Sequence, residues 1–279
     1  CNSAGTIQDK KTHSAAQAAR ILQTRLHDYF TDPADNIRAQ SSTTIMSDAA
    51  AGAEQIKLNA QVSFSDRQIR QLEVHEGWVH LGTTLNGLAQ PICTFLSKGP
   101  PSSTVSQEGL AILMEILTLS SYPSRVQRIN NRIIAIDMAE NGADFIDVFR
   151  FFQTHHLNDS ESFNFAARVF RGSTPSGKPF TKDLAYTKGF VSIYNYIRLA
   201  VQRGLLSHIP LLFVGKTTLG DLRTISDLVE EGLVVAPKYV PKIFKDPAAL
   251  SAWAAYSLFI SQLDTDKIAG DFRDLLRGS

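Results

Sequence analysis

Hydrophobic positions along this chain recur mostly at helical spacing. Over residues 13–30, Ala18, Ile21, Leu22, Leu26 and Phe30 fall three or four apart, which predicts an amphipathic helix. Residues 40–53, rich in Ala, Ser, Thr and Gly, read as a loop. Ile56, Leu58, Ala60, Val62 and Phe64 then alternate with more polar neighbours, the period of a half-buried strand. Ser65 with Gln68 three places on is a capping-box pattern, so the next helix starts at Asp66 and runs to an Asn86-Gly87 stop. After a turn over 99–103, Ser106 reads as the N-cap of a further helix. Helical periods continue over 124–139, 144–156, 160–170, 182–204, 219–231 and 247–263, with a turn-rich basic loop, GSTPSGKPFTK, at 172–182. The expectation is an α+β fold, mostly α.

Composition narrows the chemistry. With 279 residues and 43% hydrophobic content the chain can bury a large core, and 28 Lys+Arg against 27 Asp+Glu gives no whole-chain pull towards nucleic acid or an anionic membrane. No apolar run has the length of a membrane span, so a soluble protein is expected. Cys1 and Cys93 are too few for a disulfide framework, and a reducing, cytoplasmic setting fits best. An opening at Cys1 fits a trimmed chain, a processed precursor or a lipoprotein without its signal, of which trimming is favoured.

Within the helix that starts at Asp66, His75-Glu76-Gly77-Trp78-Val79-His80 spells H-E-x-x-x-H, one residue longer than the H-E-x-x-H of zinc peptidases. Residues five apart on a regular helix diverge by about 140°, so His75 and His80 can share a metal only if one turn is of the wide π type. Gly77, without a Cβ, eases that distortion. A hydrolytic zinc site takes three protein ligands and keeps one position for water. Glu76 is placed to act as general base, and Glu108 at the start of the next helix is the preferred third ligand, with Gly109 allowing close backbone approach. Glu115, about 10 Å further along the axis, is the rival and suits a supporting role better. Such a motif occurs by chance in about one chain of this length in a hundred, so it needs support.

Support comes from wider stretches. HEGWVHLGTTLNGLAQP followed by SQEGLA resembles the QEGLA-motif proteins, some bacterial members of which are labelled flavohaemoglobin expression-modulating; the animal microtubule-associated tyrosine carboxypeptidases belong to the same group. RVFRGSTPSGKPFTKDLAYTKGF is similar to another characteristic block of that family, and the resemblance runs from about residue 64 to at least 220. It implies a gluzincin-like, mostly helical metallopeptidase; with the pattern above, the expectation is a small β-sheet packed on a helical core, residues 1–53 forming an N-terminal helix and polar loop in one compact unit with a catalytic domain at 54–279. It also implies one Zn(2+) per chain on His75, His80 and Glu108, with Glu76 catalytic. The activity expected is removal of a C-terminal residue, tyrosine or another aromatic, from a peptide or protein; the animal members take tyrosine from tubulin tails. Activity class carries over from such a resemblance better than substrate does.

Tyr186 can donate a hydrogen bond to the oxyanion, and a terminal carboxylate calls for a cation, with Arg171 and Lys182 ranked ahead of Arg168 and Lys188. The competing readings are a non-catalytic regulatory or binding protein with a zinc site, and an endopeptidase or aminopeptidase lacking a carboxylate clamp. Gly215-Lys216-Thr217-Thr218 mimics the end of a phosphate loop, but the position of its first glycine is Pro210, so no nucleotide site is expected. Adjacent His155 and His156 point about 100° apart and do not make a metal site. Trp78, Phe95 and Cys93 read as core.

Overall fold

The computed structural model describes residues 9–260 and 262, apart from 46, 53 and 156; Cys1, His156 and positions 261 and 263 of the expected 247–263 helix lie outside the described residues. Helix α1, Ala15–Tyr29, is started by a capping box between Ser14 and Gln17 and buries Ala18, Leu22 and Leu26. Strands β1 (Arg38–Ser42), β2 (Ala49–Ala51) and β3 (Gln55–Asn59) follow, in the spatial order β1-β3-β2. β1 runs parallel to β3 and β2 antiparallel to it. Ile56 and Leu58 carry the sheet onto α1, forming one core with Ile69, Leu81 and Tyr239.

The remaining helices are α2 (Asp66–Leu72), which runs through a π segment (Glu73–Leu81) into α3 (Gly82–Leu88), then α4 (Thr104–Leu117), α5 (Pro123–Glu140), α6 (Phe145–Thr154), α7 (Asp159–Val169), α8 (Leu184–Gln202), α9 (Leu222–Glu230), the short α10 (Lys242–Lys245) and α11 (Pro247–Ile260). α4 and α8 lie at the centre of the larger core, with Leu110, Leu113, Ile193, Ile197 and Phe213 buried together. They touch through backbone: a Cβ on Gly109 would stand 2.1 Å from the carbonyl carbon of Gly189. A third core joins α5, α6 and α7 around Phe152 and Ala166. No described helix is long and apolar enough to cross a membrane.

Several expectations are corrected. The loop expected over 40–53 holds most of β1 and all of β2; β1 is largely exposed and β2 is three alanines, so neither shows a one-sided apolar alternation. The strand expected through Phe64 stops at Asn59, whose side-chain oxygen accepts from the Gln61 amide at 3.0 Å and closes a turn. Phe64 instead forms an isolated bridge with His13. The capping box at Ser65 and Gln68 forms as read. The helix does end beside Asn86-Gly87, at Leu88, but Asn86 is buried and its amide donates to the carbonyls of Phe213 and Tyr239, each at 2.7 Å. α4 starts at Thr104, ahead of Ser106, because a 3-10 turn at Pro101–Ser103 runs straight into it; the Ser106 hydroxyl accepts from the Leu219 amide at 3.2 Å. α8 starts at Leu184, after a 3-10 turn at Thr181–Asp183. Phe95, read as core, is 66% exposed.

Candidate metal centre

The helix that carries His75 and His80 is wide over nine residues, more than the single turn expected from spacing. The Gly82 amide reaches back five residues to the Gly77 carbonyl, as i→i+5 winding requires. The same winding puts Val74 and Val79, also five apart, into the larger core. Gly77 has a second reason to lack a Cβ: one there would stand 2.6 Å from Leu26 Cδ2 on α1.

On the opposite wall, α4 presents Glu108. Its Oε2 lies 3.3 Å from His75 Nε2 and 3.6 Å from His80 Nε2, and one donor atom from each residue falls within 4.8 Å of the others. With metal bonds of about 2.0–2.1 Å, corners of a tetrahedron stand about 3.3–3.4 Å apart, so the spacing suits three ligands of one zinc-sized ion. Glu108 Oε2 is also buried and closes no hydrogen bond, an orphaned acceptor where a cation would satisfy it. The triad is the sole cluster of three or more potential metal ligands among the described residues.

Both imidazoles are held from behind by residues of α4. His75 Nδ1 donates to Glu115 Oε1 at 2.6 Å, so that the neutral ring would present its Nε2 lone pair on the Glu108 side, ready for a metal. Glu115 is fully buried and accepts two bonds of 2.6 Å from Arg125 and one of 3.0 Å from Gln71. Burial opposes its charge, yet His75 and Arg125 hold its carboxyl down to about 2. Burial likewise works against a charged His75, but the carboxylates of Glu108 and Glu115 lift it to about 10 in the absence of metal. For His80 the partner is Gln107, whose side-chain oxygen lies 3.5 Å from Nδ1 and also accepts from Thr83 Oγ1 at 2.9 Å and Lys216 Nζ at 3.1 Å.

The triad opens into a cleft of about 610 Å3. Glu76 lines it, and its Oε2 accepts from the Ala51 amide at 3.2 Å, so edge strand β2 fixes the carboxylate. Tyr186, on α8, also lines it and faces His75 with ring centroids 6.3 Å apart. Burial and the neighbouring Glu108 charge push its hydroxyl up, so it stays a donor at neutral pH. Arg168, Arg171, Phe180 and Lys182 bring the turn-rich loop and its flanks to the rim. Arg168 is already engaged, donating bonds of 2.6 and 2.7 Å to Asp183, while Lys182 Nζ stands 3.9 Å from Glu108 Oε1 and Arg171 is exposed. Lys188 is exposed and does not line the cleft.

Sequence reasoning passed over Lys216 except as a phosphate-loop mimic. It lines the cleft, and Nζ donates to the His80 carbonyl at 2.7 Å and to Gln107. Burial lowers its ammonium to about 8, with Glu76 and Glu108 pulling the other way. A basic residue directly after Gly215 was the available signal, but nothing in local sequence ties it to His80, 136 positions earlier.

Residues 2–262 match the family model described as microtubule-associated tyrosine carboxypeptidase. Among curated proteins, none matches the chain at a significant level.

Proposed function

Because the chain belongs to the microtubule-associated tyrosine carboxypeptidase family, we propose that it is a zinc metallopeptidase that removes the C-terminal residue, tyrosine or another aromatic, from a peptide or protein. The observation that carries the metal is Glu108 Oε2, buried without a partner 3.3 and 3.6 Å from two imidazole nitrogens that are each aligned from behind. Two histidines from one helix and a glutamate from another form the His2Glu set used by open hydrolytic zinc sites, which supports a gluzincin-like reading with one zinc per chain. His75, His80 and Glu108 would hold the zinc, which when bound would acidify a water to about pKa 7 and polarise the scissile carbonyl.

The chain's own residues do the rest. Glu76, adjacent to a ligand but turned into the cleft, takes the proton of the attacking water and passes it to the leaving amine. The amide of Ala51 keeps that carboxylate aimed. Tyr186, on α8, donates a hydrogen bond to the oxyanion, with the Arg132 guanidinium of α5 5.8 Å from its ring centroid. The cations at the rim, Lys182 and Arg171, favour an anionic chain end over a neutral one.

The test is elemental analysis of protein purified without a metal-affinity step, together with hydrolysis of peptides ending in an aromatic residue. Near one zinc per chain is expected, retained in Glu76→Gln with turnover abolished and lost in His80→Ala. Hydrolysis surviving in a clean Glu76→Gln preparation would overturn the mechanism.

A further inference from the structure

A second cavity, of about 600 Å3, adjoins the metal cleft. Its wall is largely apolar, built from Cys93, Phe95, Leu96, Ile225, Leu228 and Val234. Lys98, Gly99, Pro100 and Lys216 line both cavities, so these four residues form the partition between them. Cavities of this size and character take a bulky apolar group. Phe95, 66% exposed, supplies an aromatic surface at the mouth.

Two cations stand in that partition: Lys98 is exposed, whereas Lys216 is partly buried and anchored by hydrogen bonds. An ammonium carries three protons. Two go to the His80 carbonyl at 2.7 Å and to Gln107 Oε1 at 3.1 Å, and no hydrogen-bond partner for the third is seen among the described residues. The bond to His80 ties the ammonium to the ligand-bearing helix, in the wall of the cleft that Glu76 and Glu108 also line. A residue spans about 3.3–3.6 Å of extended chain, so a carboxylate one residue beyond the scissile carbonyl stays close to the metal triad. Of the other cleft cations, Arg168 is committed to Asp183 by two bonds, Lys182 stands beside Glu108, and Arg171 and Lys98 are exposed.

We propose that Lys216 and the apolar cavity beside it together hold the residue that is cut off: the ammonium takes its terminal carboxylate, and the cavity takes its bulky apolar side chain. This rests on the carboxypeptidase reading, which the experiment separates from it. Peptides ending in phenylalanine and in alanine, each as free acid and as C-terminal amide, are assayed with the zinc-loaded full chain. Wild type is expected to cut the free acids at least 100-fold better than the amides, and phenylalanine better than alanine. Lys216→Met collapses the acid-over-amide ratio to within 10-fold, chiefly through KM, with zinc content kept; Lys216→Arg restores it. Ile225→Trp, on α9, removes the preference for phenylalanine over alanine; should Lys216→Met fail to fold, Lys216→Gln takes its place and is read the same way.

Wild-type hydrolysis with the acid preference intact in Lys216→Met, or lost instead in Lys98→Ala, overturns the assignment to Lys216 alone. A phenylalanine preference that survives Ile225→Trp overturns the cavity. No hydrolysis of any peptide by zinc-loaded wild type overturns the carboxypeptidase reading, and this proposal with it.

Discussion

Glu115→Gln removes one charge from the middle of a buried array while changing almost no volume. The carboxylate is fully buried and accepts four hydrogen bonds, from His75, Gln71 and twice from Arg125. Glutamine keeps one oxygen for His75 but turns an NH2 against Arg125, so a donor faces a donor and the guanidinium loses its counter-charge. Breaking a buried pair by removing one partner costs about 3–5 kcal/mol. The Arg125 side chain is 18% exposed and can recruit water, which places this case near the lower end, about 3 kcal/mol. At about 2–4 °C per kcal/mol for a chain of this order, the zinc-free protein should melt about 6–12 °C lower. His75 also loses the carboxylate that fixes its tautomer, and loss of such a partner weakens metal binding about 10–100-fold. The assays are calorimetry of the zinc-free protein and competition for zinc against a chelator of known affinity. The double variant Glu115→Gln/Arg125→Met should recover much of the stability but not the zinc affinity, since only the first loss comes from the stranded arginine. A Glu115→Gln protein that melts with wild type and binds zinc equally well would refute this account of how His75 is oriented.

Gly109→Ala should destabilise the protein by about 1–3 kcal/mol despite a gain of about 1 kcal/mol in helix propensity. Its new methyl falls 2.1 Å from the Gly189 backbone where ordinary contact begins at 3.4 Å, so α4 and α8 must separate by more than 1 Å; thermal melting and zinc titration both read the shift, because Glu108 moves with α4. Asp183 is held below the usual carboxylate range: burial opposes its charge, and bonds from Arg168 and Arg132 outweigh it. Its stabilising contribution is therefore complete above about pH 4 and is lost as the pH falls through the lowered folded value. Asp183→Asn should lower the melting temperature at pH 7 and flatten its fall below pH 4, followed by melts across that range. Ser65→Ala removes the capping-box acceptor of the Gln68 amide and should cost about 1 kcal/mol with zinc affinity unchanged, measured by the same melts and titration.

What could be read from sequence was local or strongly typed. The Ser65 and Gln68 pair announces its helix because a capping box is complete within four residues. His75, His80 and Glu108 announce themselves because few residue types ligate zinc, and the structure brings their donor atoms together. β1 and β2 were missed because an exposed strand of Arg, Ala, Gln and Ser and a run of three alanines show no period; both are held by β3, whose own pattern was legible. The extent of the π segment was also hidden, since the motif requires one wide turn and says nothing of the turns around it. Arg125 and Lys216 were invisible for another reason: each acquires its role from a partner on a different element, Glu115 and His80, which only packing brings near.

The wide winding of Glu73–Leu81 also acts as a phase shifter between the two ends of one rod. Upstream, Glu73 is clamped by Arg70 and by Arg25 of α1. Downstream, Asn86 is pinned to Phe213 and Tyr239. Deleting one residue between Glu76 and His80 would restore the four-residue ligand spacing and a regular helix, yet it would also turn one end about 100° against the other and break one of these moorings. The two spacings differ by a single residue in sequence, but here the longer one is locked in place by contacts lying outside the motif itself.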